Sequence, residues 1–394
     1  MKAATLGLAG SIALIPLLGQ LVVLDPTRPP MPILLPRGAA LLVALLFALA
    51  LLAVVPATLR SLRRDGLTFV LIGSGAATTL AGITGFDPVT GVGLGLFVFL
   101  IGGAGLALAR EADAAVTRLI VRTFLWSATA AAALALVMVL VRRPVALFAF
   151  ANGRAVGTFL NPNELAGYAL VGLGIALPLA IGSRGRDRLA VACAVLLAVA
   201  LAATFSRWGA FSAVCGIATY GLLARQRRLL VAALLIGLAG LTLDATLGSL
   251  HHNPRDTAVR LSAWHAGWTT FTRFPLLGVG PLAYGKTYAV LRPPDAPGPQ
   301  TPVAFDPHSL PLAYAAEGGL VALVMLVVGP ALLVRRVVRA AAVAPALPRA
   351  FGFGLVAGFV AFLVHCGLNT ISIFFPLYLQ VVPLALAVVR TDAL

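Results

Sequence analysis

The sequence predicts an all-α fold, a polytopic bundle of about twelve transmembrane helices with one long extracytoplasmic loop that contains interfacial helices. Hydrophobic residues make up 60% of the 394 residues, charged residues only 11%, and the mean hydropathy is +1.00. This composition excludes a soluble globular protein. Apolar runs of about 20 residues, enough to cross a membrane, recur along the chain and are separated by short arginine clusters. We therefore expect residues 1–394 to form a single integral membrane domain.

The predicted spans follow the apolar runs, and Gly and Pro within them are tolerated where neighbouring helices satisfy the backbone. They cover residues 3–24, 33–59, 67–83, 91–109, 120–141, 164–181, 189–205, 208–223, 229–247, 309–334, 351–369 and 373–389. The three cysteines all lie inside such runs without a metal-ligand spacing, so we expect neither a bound metal nor a disulfide framework. We see no internal repeat in these runs.

The basic residues orient the bundle. With a cytoplasmic N-terminus, eighteen of the 29 lysines and arginines fall on the cytoplasmic side, as the positive-inside rule requires. Both termini are then cytoplasmic, and the loop over residues 248–308 is extracytoplasmic. Because this distribution follows topology, the net charge of +16 does not indicate a nucleic-acid partner.

Four arginines on the outer side lack a long loop that would exempt them from the rule, namely Arg142, Arg143, Arg154 and Arg207. Such residues indicate an anionic ligand, or else contacts with lipid headgroups or a salt bridge. Arg207 joins two apolar spans with almost no loop, so it lies at or just below the outer interface, where an unpaired cation is costly. Its guanidinium is suited to bidentate binding of phosphate oxygens.

Residues 157–168 form a polar entrance to the sixth span. Pro162 disfavours a helical conformation at Asn161, and we expect Asn163 to cap the helix that follows. Glu164 then lies in the first turn, where it favours the helix dipole or pairs with an outer arginine.

The long loop holds four of the five histidines, and in a polytopic protein such a loop is where chemistry meets water. Trp264, Trp268 and Phe271 recur at helical spacing, which predicts an interfacial helix with Arg260 near the same face. His308 follows Asp306-Pro307 at the entrance of the tenth span and could accept a proton from a hydroxyl nucleophile. Asp306 or Glu317 could orient it. We interpret His365, inside the eleventh span beside Asn369, as a packing or polar-network residue.

These segments together resemble the O-antigen ligase family, which shares a superfamily with O-antigen polymerases and related exopolysaccharide enzymes. The resemblance rests on the GTFLNPNELAGY stretch at 157–168, FSR at 205–207, PLLGVG at 275–280, Arg260-x-x-x-Trp264 and Pro307-His308-Ser309. It is strong over residues 150–330. In the family pattern nine residues separate the His-Ser pair from a glycine, and His308, Ser309 and Gly319 fit it. Ala322 departs from the Gly, Thr or Tyr of the last position, which favours a polymerase-like assignment somewhat.

The resemblance implies inverting, metal-independent glycan transfer at the periplasmic face of the bacterial inner membrane, without a cofactor. The implied donor is a glycan on undecaprenyl pyrophosphate, and the implied acceptor is a sugar hydroxyl of lipid A-core or of another glycan or protein. With no acidic cluster for a metal, the candidate catalytic residues are Arg207 and Arg260 for the pyrophosphate and His308 as base. The candidate substrate-binding residues are Arg142, Arg154, Asn161, Asn163, Glu164, Trp264 and Glu317.

Two further functions stay open at the level of the sequence. A polymerase of the same superfamily would extend the glycan on its lipid carrier instead of moving it to a final acceptor. A polysaccharide-lipid transporter would also suit about twelve spans, although transporters usually show internal repeats and polar sites at mid-membrane. A scaffold role within a polysaccharide assembly complex is a third alternative.

Overall fold

The computed structural model describes residues 2–24, 34–159, 161–247, 254–294 and 306–369. Within these ranges the chain is helical and contains no strand. A 3-10 segment, Ile15–Leu24, follows α1. The helices are α1 Lys2–Leu14, α2 Arg37–Leu52, α3 Val55–Ser61, α4 Gly66–Thr84, α5 Pro88–Glu111, α6 Ala114–Val141, α7 Val145–Phe150, α8 Pro162–Gly182, α9 Arg188–Ala203, α10 Arg207–Leu223, α11 Arg227–Leu247, α12 Pro254–Arg273, α13 Tyr284–Leu291, α14 Leu310–Ala342 and α15 Ala346–Cys366.

Eight helical segments in the described ranges are long and apolar enough to cross a membrane. They are Ala3–Leu21, Arg37–Ser61, Gly66–Thr84, Pro88–Glu111, Ala114–Val141, Pro162–Gly182, Leu310–Ala342 and Ala346–Cys366. These segments confirm the all-α membrane fold. Helices α9, α10 and α11 lie where the seventh, eighth and ninth spans are predicted, and the twelfth predicted span, 373–389, lies outside the described residues. The total of about twelve spans stays a prediction.

The predicted second span is divided into two helices. Helix α2 ends at Leu52, and α3 begins at Val55 with Pro56 in its first turn. Proline lacks an N–H and fixes its own φ, so it is well placed in a first turn and poorly placed inside a helix. Hydropathy alone does not reveal this break, because a single proline changes the mean hydropathy of the apolar run little.

Helices α8 and α15 pack closely at the centre of the bundle. A methyl group on Gly174 of α8 would lie 2.5 Å from the carbonyl oxygen of Gly354 and 2.9 Å from the Cα of Gly358 on α15. Small residues let membrane helices approach to backbone contact, which is how such helices associate in lipid. Helix α10 packs on α15 in the same way through Gly216 and Ala361. The N-termini of α8 and α10 therefore meet the C-terminal end of α15.

Helix α14 is interrupted at Gly319, where φ is 61° and ψ is −157°. A broken membrane helix requires new partners for the backbone groups that leave the helical ladder. The loop at 274–280 supplies them. Four backbone hydrogen bonds join the loop to α14: Leu320 N to Pro275 O at 2.7 Å, Val321 N to Leu276 O at 3.3 Å, Val279 N to Ala316 O at 3.0 Å, and Gly280 N to Glu317 O at 2.9 Å.

This junction also explains two glycines of the sequence motifs. A methyl group on Gly319 would lie 2.3 Å from the carbonyl carbon of Leu276, and one on Gly278 would lie 2.4 Å from that of Glu317. Both residues adopt positive φ values, which glycine adopts at little cost. Each glycine is therefore required by the contact between the loop and the helix, independently of any phosphate binding.

Ion pairs lie at both ends of the bundle. At the end predicted to be cytoplasmic, three close ion pairs join Arg60 to Glu111 at 2.8 Å, Arg110 to Asp65 at 2.6 Å, and Arg122 to Asp187 at 2.7 Å. At the other end, Lys286 of α13 lies 3.2 Å from Asp87, which precedes α5. Phe86 N also donates to Val279 O at 2.8 Å. The long loop thus packs against the connection between α4 and α5.

Candidate active site

The Asn-Pro-Asn sequence forms the N-terminus of α8, but the asparagine that caps the helix differs from the one predicted from the sequence. Asn161 is extended, and its side chain accepts hydrogen bonds from the backbone N–H groups of Asn163 at 2.9 Å and Glu164 at 3.1 Å. Asn161 is therefore the cap, and the expectation that Asn163 caps the helix is wrong. Pro162 is the first helical residue, a position that proline favours because no N–H is needed there.

Asn163 instead joins three helices. Its side-chain oxygen accepts a hydrogen bond from Ser206 Oγ at 2.9 Å, and Ser206 is the cap of α10. Its backbone oxygen lies 2.9 Å from Nε2 of His365, near the end of α15. Glu164 follows in the first turn of α8 and is buried, close to the positive end of the helix dipole.

Arg154 and Arg207 lie on either side of the tight junction between α9 and α10. Arg154 Nε donates to the carbonyl oxygen of Thr204 at 2.6 Å, and Thr204 is the C-cap of α9. A cation there is favoured by the negative end of the helix dipole. Arg207 is the first residue of α10 and is exposed, directly after the Ser206 cap.

Arg260 brings the long loop to the same helix ends. Its Nη1 donates to the carbonyl oxygen of Leu368 at 3.1 Å, just beyond α15. The next residue, Asn369, donates from Nδ2 to the carbonyl oxygen of His365 at 3.1 Å. A continuous set of contacts therefore runs from the cap of α10, which precedes Arg207, through Asn163 and His365 to Arg260.

His308 lies in the turn before α14, with a positive φ of 50°. Asp306 fixes this turn, because its Oδ1 accepts a hydrogen bond from His308 N at 2.7 Å. The same oxygen lies 3.5 Å from His308 Nδ1, an ion-pair distance if the ring is protonated. Both side chains are partly exposed, so the pair is open to a ligand. Of the two carboxylates considered from the sequence, the contact with His308 is made by Asp306.

Glu317 has a different position. Its Oε1 accepts a hydrogen bond from the backbone N–H of Tyr284 at 3.2 Å, which holds α13 on α14 two residues before the break at Gly319. Burial raises the pKa of the Tyr284 phenol, which stays protonated and donates to the carbonyl oxygen of Ala263 on α12 at 2.6 Å. These bonds fix α12 and α13 as one unit on α14.

The inner face of α12 is formed by small residues that pack on α14. A methyl group on Gly267 would lie 2.8 Å from Leu312 Cγ, one turn after His308. Arg260 and His308 are thus attached to one packed pair of helices. Trp264 lies between these contacts, and its buried indole N–H has no hydrogen-bond partner within the described ranges. Trp268, on the other side of α12, is exposed, as expected for a lipid-facing residue.

Arg142 is not joined to this set of contacts in the described part of the chain. It ends α6 in a left-handed conformation, and its exposed guanidinium makes no ion pair there. The neighbouring Arg143 lines a mostly apolar cavity of about 700 Å³ with Leu17, Met138 and Thr158. Arg143 therefore lines a separate groove, and Arg142 precedes it at the end of α6.

Two residues of the site were missed as site residues in the sequence. Ser206 is visible as a polar residue before Arg207, but its bond to Asn163 joins residues 43 positions apart. His365 was interpreted as a packing or polar-network residue, and it does form a network, with the first turn of α8. Both could have been identified as site residues because each is a polar residue at the same predicted membrane level as Arg207.

Residues 192–327 match the family model described as O-antigen ligase. The matched segment includes Arg207, Arg260, His308 and Gly319 and covers about a third of the chain. No protein of curated function matches the chain. The match confirms the resemblance seen in the motifs. Residues 192–327 are thus similar to the O-antigen ligase domain, and the eight apolar helices indicate a multi-pass membrane protein.

Proposed function

We propose that the protein moves a glycan from undecaprenyl pyrophosphate to a sugar hydroxyl, with lipid A-core as acceptor, at the periplasmic face of the bacterial inner membrane. The observation that carries the proposal is the network that links the cap preceding Arg207 to Arg260 through Asn163 and His365. Two guanidinium groups at one end of a membrane bundle form a site suited to an anionic leaving group.

The arginines supply the charge that the reaction needs. When the bond between the sugar and the pyrophosphate breaks, negative charge develops on the leaving phosphate oxygen. Fixed cationic donors stabilise that charge without reorganising, which is often the largest single contribution to catalysis. In this mechanism Arg207 and Arg260 bind the two phosphates, and Arg154 supports the junction that carries Arg207.

His308 serves as the general base. In the proposed arrangement Nδ1 faces Asp306, and Nε2 accepts the proton from the acceptor hydroxyl as its oxygen attacks the anomeric carbon. The pyrophosphate leaves from the opposite face of the sugar, so a single displacement inverts the configuration. Membrane burial of both lipid substrates holds the reacting groups in one plane, which reduces the entropic cost of bringing them together.

The remaining candidates surround this centre. Asn161, Asn163 and Glu164 form the first turn of α8, whose positive dipole end favours an anionic ligand. The buried indole N–H of Trp264 has no hydrogen-bond partner within the described ranges, so it can donate to a sugar oxygen of a bound glycan. Glu317 acts through α13, and Arg142 binds lipid phosphate away from the centre.

The test is a transfer assay in proteoliposomes with undecaprenyl-pyrophosphate-linked glycan and lipid A-core acceptor, without added metal or nucleotide. We expect transfer by the wild type, and a loss of at least about 100-fold in His308→Ala and Arg207→Ala at equal protein levels. Donor glycan that lengthens without the acceptor would replace the ligase assignment with a polymerase. A folded wild type that forms neither product from a verified donor would contradict the proposal.

A further inference from the structure

His365 is fully buried between α15 and the N-terminus of α8. Its Nε2 lies 2.9 Å from the carbonyl oxygen of Asn163. Because a carbonyl oxygen can only accept, Nε2 carries the proton. Nδ1 is also buried, and the ring interacts with the backbone of Trp208 in the first turn of α10. A buried polar ring is a costly choice for simple packing in a membrane bundle, where an apolar side chain would fill the space without that cost.

Two branches leave His365, and each reaches one arginine. Through Asn163, the first branch continues to Ser206 Oγ at 2.9 Å, and Ser206 also caps α10 through Gly209 N at 3.1 Å. Arg207 is the residue that follows the cap. The position of the Asn163 backbone thus determines where α10 begins and where the Arg207 side chain leaves the bundle.

The second branch uses the carbonyl oxygen of His365. That oxygen accepts hydrogen bonds from Leu368 N at 3.3 Å and from Asn369 Nδ2 at 3.1 Å, which form the turn that ends α15. The carbonyl oxygen of Leu368 in this turn accepts the bond from Arg260 Nη1 at 3.1 Å. These bonds use only the backbone of residue 365, so the turn that holds the Arg260 guanidinium is part of the same helix end that carries the His365 ring.

We propose that His365 is a positioning residue that sets the separation of Arg207 and Arg260, and so the fit of the site to a diphosphate. The inference rests on the proposed function, because it assigns to His365 the spacing of the two groups that bind the leaving pyrophosphate. The ring acts through its bond to the first turn of α8, which ties that turn to the end of α15, and it does not touch the substrate.

The test compares His365→Leu and His365→Gln with Phe362→Leu in the proteoliposome assay. Phe362 is a fully buried residue one turn earlier on α15, so its replacement controls for lost packing. We expect His365→Leu to lower kcat about 100-fold, the scale of a displacement of about 1 Å at a reacting centre, with a thermal midpoint no lower than that of the control. Glutamine can still donate to the Asn163 carbonyl oxygen, so His365→Gln should recover most of the rate. Equal rates in His365→Leu and Phe362→Leu would overturn the inference.

A double-mutant cycle separates positioning from a general structural effect. In an Arg260→Ala background, His365→Leu should lower the remaining rate by less than about twofold, because with one guanidinium absent there is no separation of two groups left to set. A double variant whose loss of rate equals the product of the two single losses would overturn the inference. If His365→Leu does not fold, Ser206→Ala in wild-type and Arg207→Ala backgrounds applies the same test to the other branch.

The outcomes also distinguish this inference from the proposed function. Unchanged rates in Arg207→Ala and Arg260→Ala would contradict the proposed function itself. Large losses in both arginine variants, together with a wild-type rate in His365→Leu, would leave the proposed function standing and remove only the role of His365.

Discussion

Arg207 and Arg260 reach the site from different supports. Arg207 is the first residue of α10, and the Ser206 cap sets its position. Arg260 lies on α12 and uses Nη1 for the carbonyl oxygen of Leu368. A guanidinium has five N–H donors in a fixed plane, so it can keep this bond while it also binds phosphate. An ammonium group of lysine is a point charge on a flexible stem and cannot reproduce that geometry.

Arg260→Lys should therefore retain the charge and still lower kcat by about 100-fold, because one fixed donor to the leaving group is lost. The measurement is single-turnover transfer in proteoliposomes. Arg273→Lys is the control, since Arg273 is an exposed arginine in the last turn of the same helix. Equal rates in the two variants would show that charge alone, without guanidinium geometry, is what Arg260 contributes.

Asp306→Asn separates the shape of the turn before α14 from the charge beside His308. An amide oxygen can still accept the bond from His308 N, so the turn is kept while the carboxylate near Nδ1 is removed. We expect transfer to slow by about tenfold to 100-fold, since the protonated ring loses its counter-charge. In a His308→Ala background the same change should have no further effect. An added loss in that background would assign Asp306 a role apart from the histidine.

The break in α14 shows how one element positions the site. Gly319 interrupts the helix, the loop at 274–280 satisfies the freed backbone groups, and α12 and α13 are held on the N-terminal half of α14. The spacing from His308-Ser309 to Gly319 is therefore the length of the half-helix that supports the interfacial helices. His308 and Arg260 depend on this junction, since they flank the contact between Gly267 and Leu312.

Gly319→Ala should destabilise the protein by about 3 kcal/mol, because the added methyl group meets the Leu276 backbone and the residue has a positive φ. Thermal unfolding in detergent measures this change. Gly93→Ala on α5 is the matched control, with no atom within 4 Å of the added methyl group, and should be neutral or slightly stabilising. A Gly319→Ala variant as stable as the control would contradict the described junction.

The sequence predicted some of these features and not others, and the difference has physical reasons. Pro162 correctly marked the start of α8, because proline acts locally on the residue before it. Pro162 did not decide which asparagine forms the cap, since either side chain can cap a helix and the choice depends on contacts with Ser206 and His365. Gly319 was identified in a family pattern without a cause, because its partner at Leu276 is about 40 residues away and such contacts have no local signature.

At the scale of the whole molecule, charge and hydropathy organise the bundle. Hydropathy correctly indicated a helical membrane protein, because a membrane-spanning chain must satisfy its backbone internally. Three ion pairs gather residues predicted for the cytoplasmic end, and the contact of Lys286 with Asp87 lies among residues predicted for the other end. The meeting of α8, α10, α12 and α15 was not predictable, since hydropathy gives the order of spans and not their neighbours.

Asp65 gives the end predicted to be cytoplasmic a pH-dependent stability. Burial raises the pKa of Asp65, but hydrogen bonds from Thr68 N and Arg110 outweigh burial and hold the pKa below its usual value. Its stabilising contribution is then complete above the unfolded pKa near 3.8 and is lost as the pH falls through the folded pKa. We expect Asp65→Asn to lower the thermal midpoint at pH 5–7, with a difference from the wild type that shrinks as the pH falls through the folded pKa of Asp65, which lies below 3.8.

Asp113→Asn is the control for that experiment. Asp113 caps α6 through Val116 N and has no ion pair within the described ranges, so its replacement should change the midpoint little at any pH. A difference between wild type and Asp65→Asn that grows as the pH falls would contradict the sign of the linkage.

The central claim is that Arg207 and Arg260 bind one diphosphate at the joined ends of α8, α10, α12 and α15. The most direct measurement is a cryo-electron microscopy structure of the protein in nanodiscs with undecaprenyl pyrophosphate, in which the phosphate positions are located. We expect phosphate oxygens within hydrogen-bond distance, about 2.7–2.9 Å, of both guanidinium groups, with the sugar-bearing phosphate on the side of His308. Phosphates bound beside Arg142 and Arg143, with Arg207 and Arg260 unoccupied, would contradict it.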